Sequence, residues 1–384
     1  MTIERPDRRT FLKQTLFVGG SLLSLPTAAA FLAACSSDAA PDTTAAADTT
    51  AAAAAETAAV AETQAATAET TAAAAETTAA AATAVQVGFQ LGWKKLVQFG
   101  GHFMALDKGY FKEEGIDAEF ISGGPGIDGV ADVAAGKVML GDADSTGLLL
   151  AREKGIPVRA FAAIFQRSPF ALMSLKANPI MTLEDMVGKK IGLPDGYRPQ
   201  LTALLTDAGI DPAKVTFVPV GFDPAVLSTK QVDGYMGYAT SQGVALQTQG
   251  IEINIVYLAD LGDRGYGNAF FATDETINTK KDLLIKWLRA DLKGWEFAVS
   301  NPEDMAKRVV ELYGKEAGSE IGPETGSAKA QVELIKGNPN GLLWIDPAVF
   351  DATAAFAVKA GVAKAPIPAA ELMTEEILKG AKAA

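Results

Sequence analysis

The sequence predicts an α/β protein built as two lobes around a cleft. Three observations lead there. Short apolar runs of period two begin at Val85, and each is followed by a stretch whose apolar residues recur every three or four positions. The same series restarts after Asn178-Pro179, and the chain then becomes helical from about residue 280 to its end. Strands alternating with helices at this spacing mean an open, mostly parallel sheet, and two such series mean two of them.

Val85, Val87, Phe89 and Leu91 alternate with Gln86, Gly88, Gln90 and Gly92, which is a strand. Gly100 to Glu114 carries Phe103, Leu106, Tyr110 and Phe111 at helical spacing and stops at Gly115. A strand at Asp117–Ile121, a Gly-Gly-Pro-Gly turn, a helix near Ile127–Ala135 and a strand at Val138–Leu140 follow, and Pro157–Phe165 and Phe170–Leu175 complete the first series. The second series places strands at 189–193, 215–220, 235–238 and 253–258, with helices at 199–207, 224–230 and 241–249 between them. One more strand, 269–272, precedes helices at 280–299, 302–313, 327–335 and 347–360. This pattern assigns lobe 1 to about 85–175 plus 268–384 and lobe 2 to about 176–267, with the helical tail returning to lobe 1.

The first 84 residues are of another kind. Arg8-Arg9-Thr10-Phe11-Leu12-Lys13 runs into an apolar stretch from Leu16 to Leu25 and then into Leu32-Ala33-Ala34-Cys35. A basic start, a short apolar segment and small residues form a secretory signal, too short and too interrupted to span a membrane. The paired arginines resemble a twin-arginine export signal, and Leu-Ala-Ala-Cys a bacterial lipobox that would lipidate Cys35 and anchor the mature chain to the outer face of the cytoplasmic membrane. From 36 to 84 the chain is almost wholly Ala and Thr with periodic Glu. Without large apolar side chains it cannot offset the entropy of ordering and reads as a tether. As coil, such a length spans on the order of 35 to 40 Å.

Composition excludes several function classes. Forty-six acidic against 34 basic side chains give a net charge of -12, which supports solubility and not nucleic-acid binding. The single cysteine is Cys35 and the single histidine His102, so the folded part offers no disulfide framework, no multi-Cys or two-His metal site and no cysteine nucleophile. No phosphate loop or dinucleotide fingerprint occurs.

Ligands of open α/β folds sit outside the carboxyl ends of the strands, and four such ends offer candidates. Trp93, Lys94 and Phe99 follow the first strand, where the two rings suit either a stacked flat ligand or a capped sheet edge. Asp144 and Ser145 open a helix and could accept from a ligand or serve as its N-cap. Gln166 and Arg167 follow the strand ending at Phe165, where a heterocycle edge or a hinge fits equally. Tyr197 and Arg198, with Tyr238 and Tyr266 near in topology, complete the set. Tyr235 and Tyr238 lie three apart on one strand, so they face opposite ways and at most one can reach the cleft.

The run Leu91-Gly92-Trp93 through Gly101-His102-Phe103-Met104-Ala105 to Lys108-Gly109-Tyr110-Phe111 resembles the solute-binding proteins related to thiamine-pyrimidine synthase. So do Val133-Ala134-Ala135-Gly136, Met186-Val187-Gly188-Lys189-Lys190-Ile191-Gly192, Asp207-Ala208-Gly209-Ile210-Asp211 and Tyr266-Gly267. The resemblance implies a two-lobed type II periplasmic-binding-protein fold. It also implies a monomer, without cofactor, that hands a small ligand to an ABC permease and its ATPase. Thiamine pyrimidines such as formylaminopyrimidine or hydroxymethylpyrimidine come first, then riboflavin, then sulfonate- or nitrate-type solutes. Phe99 stands where pyrimidine binders often place His, which tilts the expectation toward a larger or less polar aromatic ring. The family's synthases need iron and a Cys cluster that is absent here, so the expectation is a binding protein, with a ligand-free structural lipoprotein as a further alternative.

Overall fold

The computed structural model describes residues 84–383 apart from Pro125 and Arg264. The export signal, Cys35 and nearly all of the tether lie outside the described residues.

The first sheet is built from β1 (Val85–Gln90), β2 (Ile116–Ile121), β3 (Leu140–Ala143), β4 (Val158–Ala163) and β10 (Ala269–Thr273), in the order β2-β1-β3-β10-β4. The second is built from β5 (Phe170–Leu175), β6 (Lys190–Leu193), β7 (Thr216–Pro219), β8 (Gly234–Tyr238) and β9 (Ile253–Tyr257), in the order β7-β6-β8-β5-β9. The β1–β2, β1–β3, β6–β7 and β6–β8 pairs are parallel. Each sheet also holds one antiparallel strand, β10 in the first and β5 in the second. Both are strands that the chain reaches by crossing between sheets. β5, expected in the first lobe, pairs in the second sheet, antiparallel to β8 and β9, with the segment 164–169 carrying the chain across. The sheets are thus mixed where mostly parallel ones were expected.

The helices of the first series are α1 (Gly100–Asp107), α2 (Tyr110–Glu113), α3 (Gly129–Ala134) and α4 (Ser145–Glu153). Those of the second are α5 (Arg198–Asp207), α6 (Ala225–Ser228) and α7 (Val244–Thr248). The tail contributes α8 (Asp274–Thr279), α9 (Lys281–Ser300), α10 (Pro302–Ala317), α11 (Ile321–Lys336), α12 (Pro347–Lys359), α13 (Ala369–Leu372) and α14 (Glu376–Lys382). The single helix expected over 100–114 is two, divided where Gly109 takes φ +78. The strand expected at Val138–Leu140 begins only at Leu140, the residue that pairs with Phe89. It continues through Gly141 and Asp142, whose polarity hid it.

The core of the first lobe is aromatic. Phe89, Phe103, Phe111, Phe270, Trp287 and Trp295 are fully buried between the sheet, α1 and α9. Gly101 and Gly294 let those helices touch, since a Cβ on Gly294 would lie 2.2 Å from the Gly101 carbonyl. His102 sits inside this core, with its Nδ1 2.6 Å from Asp291 Oδ1, and Trp295 Nε1 donates to Asp291 Oδ2 at 3.1 Å. The tail serves both lobes and not the first alone. α11 packs on the turn Ala239–Gly243 and on α7, and Phe356 of α12 packs on the second lobe's core.

Candidate functional site

The parallel strands of both sheets point their carboxyl ends toward one cleft, and a pocket lies there. Its first wall is the start of α4, with Asp144, Ser145 and Thr146. The linking segments contribute Ser168, Asp263, Gly265, Tyr266 and Gly267, and the second lobe Phe170, Tyr197, Gln200 and Tyr238. In this conformation the free volume is about 10 Å³, room for roughly one water. A ring-sized ligand therefore needs the lobes to part.

Several hydrogen bonds organise the pocket. Asp144 caps α4 by accepting from Gly147 N–H at 2.8 Å. Ser145 is 1% exposed, and its hydroxyl accepts from Tyr266 N–H at 3.1 Å. Gln200 Nε2 donates to Asp263 Oδ2 at 2.6 Å, which ties α5 to the segment between β9 and β10. Behind these runs a buried chain. Gly92 N–H donates to Asp142 Oδ1 at 2.7 Å, Asn268 Nδ2 donates to Asp142 Oδ2, and Tyr238 Oη donates to Asn268 Oδ1 at 3.1 Å. The Tyr197 ring stacks on Phe170 at 3.9 Å.

Burial dominates the electrostatics. It pushes the Asp142 carboxyl up to about 6 against the opposing bonds from Asn268 and Gly92. Asp263 is likewise pushed up to about 6 by burial, and Asp144 is raised for the same reason. Burial also raises the Tyr197 and Tyr238 hydroxyls, with neighbouring carboxylates adding to it, so both rings stay neutral donors at physiological pH. The pocket offers aromatic faces, neutral hydroxyls and carboxylate acceptors. Among the described residues no Lys or Arg lines it.

Of the residues singled out from sequence, Asp144, Ser145, Tyr197, Tyr238 and Tyr266 meet at this pocket. Trp93 stands at another edge of the cleft, stacked on Phe222 of the second lobe at 3.9 Å. The others lie elsewhere. Phe99 is fully buried in the first lobe with its ring parallel to His102, so it reflects packing there and says nothing of ligand size. Gln166 spends its amide on the Ala163 and Trp344 carbonyls and accepts from Asn338, which makes it a brace for the tail. Arg167 is exposed, pairs with Asp260 at 2.5 Å and covers Tyr257. Arg198 is exposed and lies over Phe217, and Lys94 is exposed. Tyr235 turns into the second lobe's core while Tyr238 faces the cleft, as their spacing required. Asp142, Gln200, Asp263, Asn268 and Phe222 were missed, and the irregular segments that hold Asp263, Asn268 and Phe222 carry no periodic signal.

A larger groove, of about 670 Å³, lies at the opposite end of the first sheet. Gln86, Asp117, Met139 and Thr273 line it, at the amino ends of β1 to β3. The strand-end rule and the convergence of aromatic and polar groups both favour the interlobe cleft. No helix among the described residues is long and apolar enough to cross a membrane.

Known proteins share this architecture. The chain is 26% identical to a riboflavin-binding protein of Chloroflexus aurantiacus over 78% of its own length and 87% of that protein's. It is 27% identical to a formylaminopyrimidine-binding protein of Halalkalibacterium halodurans, over 62% and 74% of the two chains. It is also 27% identical to a hydroxymethylpyrimidine phosphate synthase of Schizosaccharomyces pombe, over 62% and 72%. In three dimensions it matches the periplasmic aliphatic sulphonate binding protein of Escherichia coli with a TM-score of 0.58 at 14% identity, covering 75% of this chain and 91% of that one. The ligand-binding component of an ABC-type import system from Staphylococcus aureus matches with a TM-score of 0.59 at 15% identity, covering 78% and 98%. These matches establish the periplasmic-binding-protein fold, and the family model described as NMT1/THI5 like fits residues 97–305, more than half of the sequence, so the chain belongs to the NMT1/THI5-like family.

Proposed function

We propose that the chain is the extracytoplasmic solute-binding component of an ABC importer and that it captures a small, flat nitrogen heterocycle of the thiamine-pyrimidine type. The observation that carries this reading is the lining of the cleft. Tyr197, Tyr238, Tyr266 and Phe170 offer ring faces, and Asp144, Asp263, Gln200 and Ser145 offer acceptors and donors, all divided between two separately cored lobes. An aminopyrimidine has a stacking face and exocyclic N–H groups that carboxylates accept. Sulfonate or nitrate would bring negative charge against Asp144 and Asp263, which costs binding. Riboflavin is the second reading, favoured by the similarity that extends over 87% of the riboflavin-binding relative.

Capture fits these residues better than turnover. The one histidine faces Asp291 inside the first lobe's core, so its imidazole cannot act at the cleft. Calorimetric titration with hydroxymethylpyrimidine, formylaminopyrimidine, riboflavin and an alkanesulfonate is the test. One heterocycle should bind at about micromolar affinity or tighter. Binding of the sulfonate alone, or of none of the four, rejects the heterocycle reading.

Export by the twin-arginine signal and lipidation at Cys35 complete the proposal and place the ligand-binding part beside a permease and its ATPase. Cells fed a labelled fatty acid should incorporate it into the wild-type protein and not into Cys35→Ala. Equal labelling of both removes the anchor.

A further inference from the structure

Phe222 is 45% exposed, unusual for so large an apolar side chain. Its ring is nonetheless ordered against Trp93, with centroids 3.9 Å apart and planes 15° from parallel. The topology gives this contact its meaning. Trp93 follows β1 in the first lobe, and Phe222 follows β7, the outer strand of the second sheet. The chain crosses between sheets after β4 and after β9, which lie at the other margins of their sheets. The Trp93–Phe222 pair therefore bridges the lobes on the side of the cleft away from the crossovers.

Both rings hang from braced loops. On the first lobe, Gly92 N–H is held by Asp142, and Gly123 N–H donates to the Trp93 carbonyl at 2.9 Å. A Cβ on Gly123 would lie 2.1 Å from the Leu91 carbonyl, so the two loops are in close backbone contact. On the second lobe, Tyr235 Oη donates to the Gly221 carbonyl at 3.1 Å, and Asp223 accepts from Ala225 N–H at 2.9 Å. These braces fix where each ring is anchored in its own lobe, and the cleft admits a ring-sized solute only when the lobes part.

We propose that Phe222 is a ligand-contacting residue: with Trp93 it forms a two-ring clasp across the mouth of the cleft, and a planar solute binds by entering between the rings as the lobes part, so that Phe222 stacks on it. This rests on the heterocycle reading of the site and adds to it a residue of the second lobe. Stacking depends on a flat π-face more than on ring substituents, so the clasp favours flat solutes as a class while the polar wall selects among them.

Two measurements on the full chain test it. The first needs no solute. Subtracting the emission of Trp93→Phe from that of wild type isolates the Trp93 signal. In a Phe222→Ala background, that signal should be quenched about twofold more by acrylamide and should shift to the red. Unchanged quenching means the rings are not in contact in solution and overturns the clasp. The second uses riboflavin, hydroxymethylpyrimidine and formylaminopyrimidine as probes. Phe222→Ala should weaken whichever probe binds wild type by about 5- to 150-fold, as loss of one stacked ring does, while Phe222→Tyr retains the affinity. Wild-type binding with equal or tighter binding by Phe222→Ala overturns the contact role alone. Failure of wild type to bind any of the three probes overturns both that role and the heterocycle reading. Because Phe222 is largely outside the core, the melting temperature of Phe222→Ala should match wild type, so that affinity and folding are read separately.

Discussion

Asp291→Ala should destabilise the fold by about 2 to 6 kcal/mol, from orphaning two buried donors at about 1 to 3 kcal/mol each. Asp291 lies in the apolar stripe of α9, fully buried, where it accepts from the His102 ring at 2.6 Å and from Trp295 Nε1 at 3.1 Å. Burial raises its carboxyl, and His102 opposes that rise. Phe89 and Phe120, each 4.9 Å from the imidazole, and Phe270 at 5.0 Å shut out the water that could replace the lost acceptor. Removing the carboxylate leaves two buried donors with nothing to bond. Asp291→Asn keeps an acceptor and the shape and should cost less. The double variant His102→Leu with Asp291→Leu should recover part of the loss, because it removes the polar groups together. Urea unfolding of the set checks this. A loss below about 1 kcal/mol for Asp291→Ala would show that the pair carries little of the lobe's stability.

The second large effect depends on pH. Asp142 and Asp263 are pushed up to about 6 in the folded protein, against an ordinary value of 3.8. A carboxyl raised by folding binds its proton more tightly in the native state. Its contribution to stability is therefore greatest below the unfolded value and is lost as pH rises through the folded one. For a shift of about two pK units the change is about 3 kcal/mol per group, developed between roughly pH 4 and 6. Other carboxylates, such as Asp107 beside Arg308, are lowered and act in the opposite sense. The measurable quantity is therefore the difference between wild type and Asp142→Asn, which keeps acceptor and shape but cannot titrate. Wild type should lose stability relative to the variant as pH rises from 4 to 7. A difference that stays flat across that range would mean the carboxylate is hydrated in solution and the cleft more open than described here.

The elements were legible in the sequence because the signals that define them are local. Alternation placed β1 within a residue, and Phe170–Leu175 was read with its observed limits. Glycine stops and proline starts bounded α5, α10 and α12 to within a few residues. The two-lobed architecture followed from the order of those elements, and the family from the resemblance carried by motifs such as those at 101–105 and 108–111. Where a strand joined its sheet was less visible. β5 looks like any apolar run, and only its long-range pairing with β8 and β9 assigns it to the second sheet.

The site divides in the same way. Asp144, Ser145 and Tyr197 could be read because they stand at strand-to-helix junctions, and the fold class alone directs such positions to the cleft. Trp93 and Phe99 were indistinguishable in sequence, two aromatic residues in one loop. Yet Phe99 turns into the first lobe against His102 while Trp93 meets a ring from the other lobe. Phe222, Asp263 and Asn268 lie in irregular segments where no period betrays a side chain's direction. The sequence by itself determined which strands and helices form and that they make two lobes, since periodicity and backbone stops act over a few residues. Only the tertiary structure decided which side chains face one another across the cleft, because those contacts join chain segments far apart in sequence and their directions are set by packing.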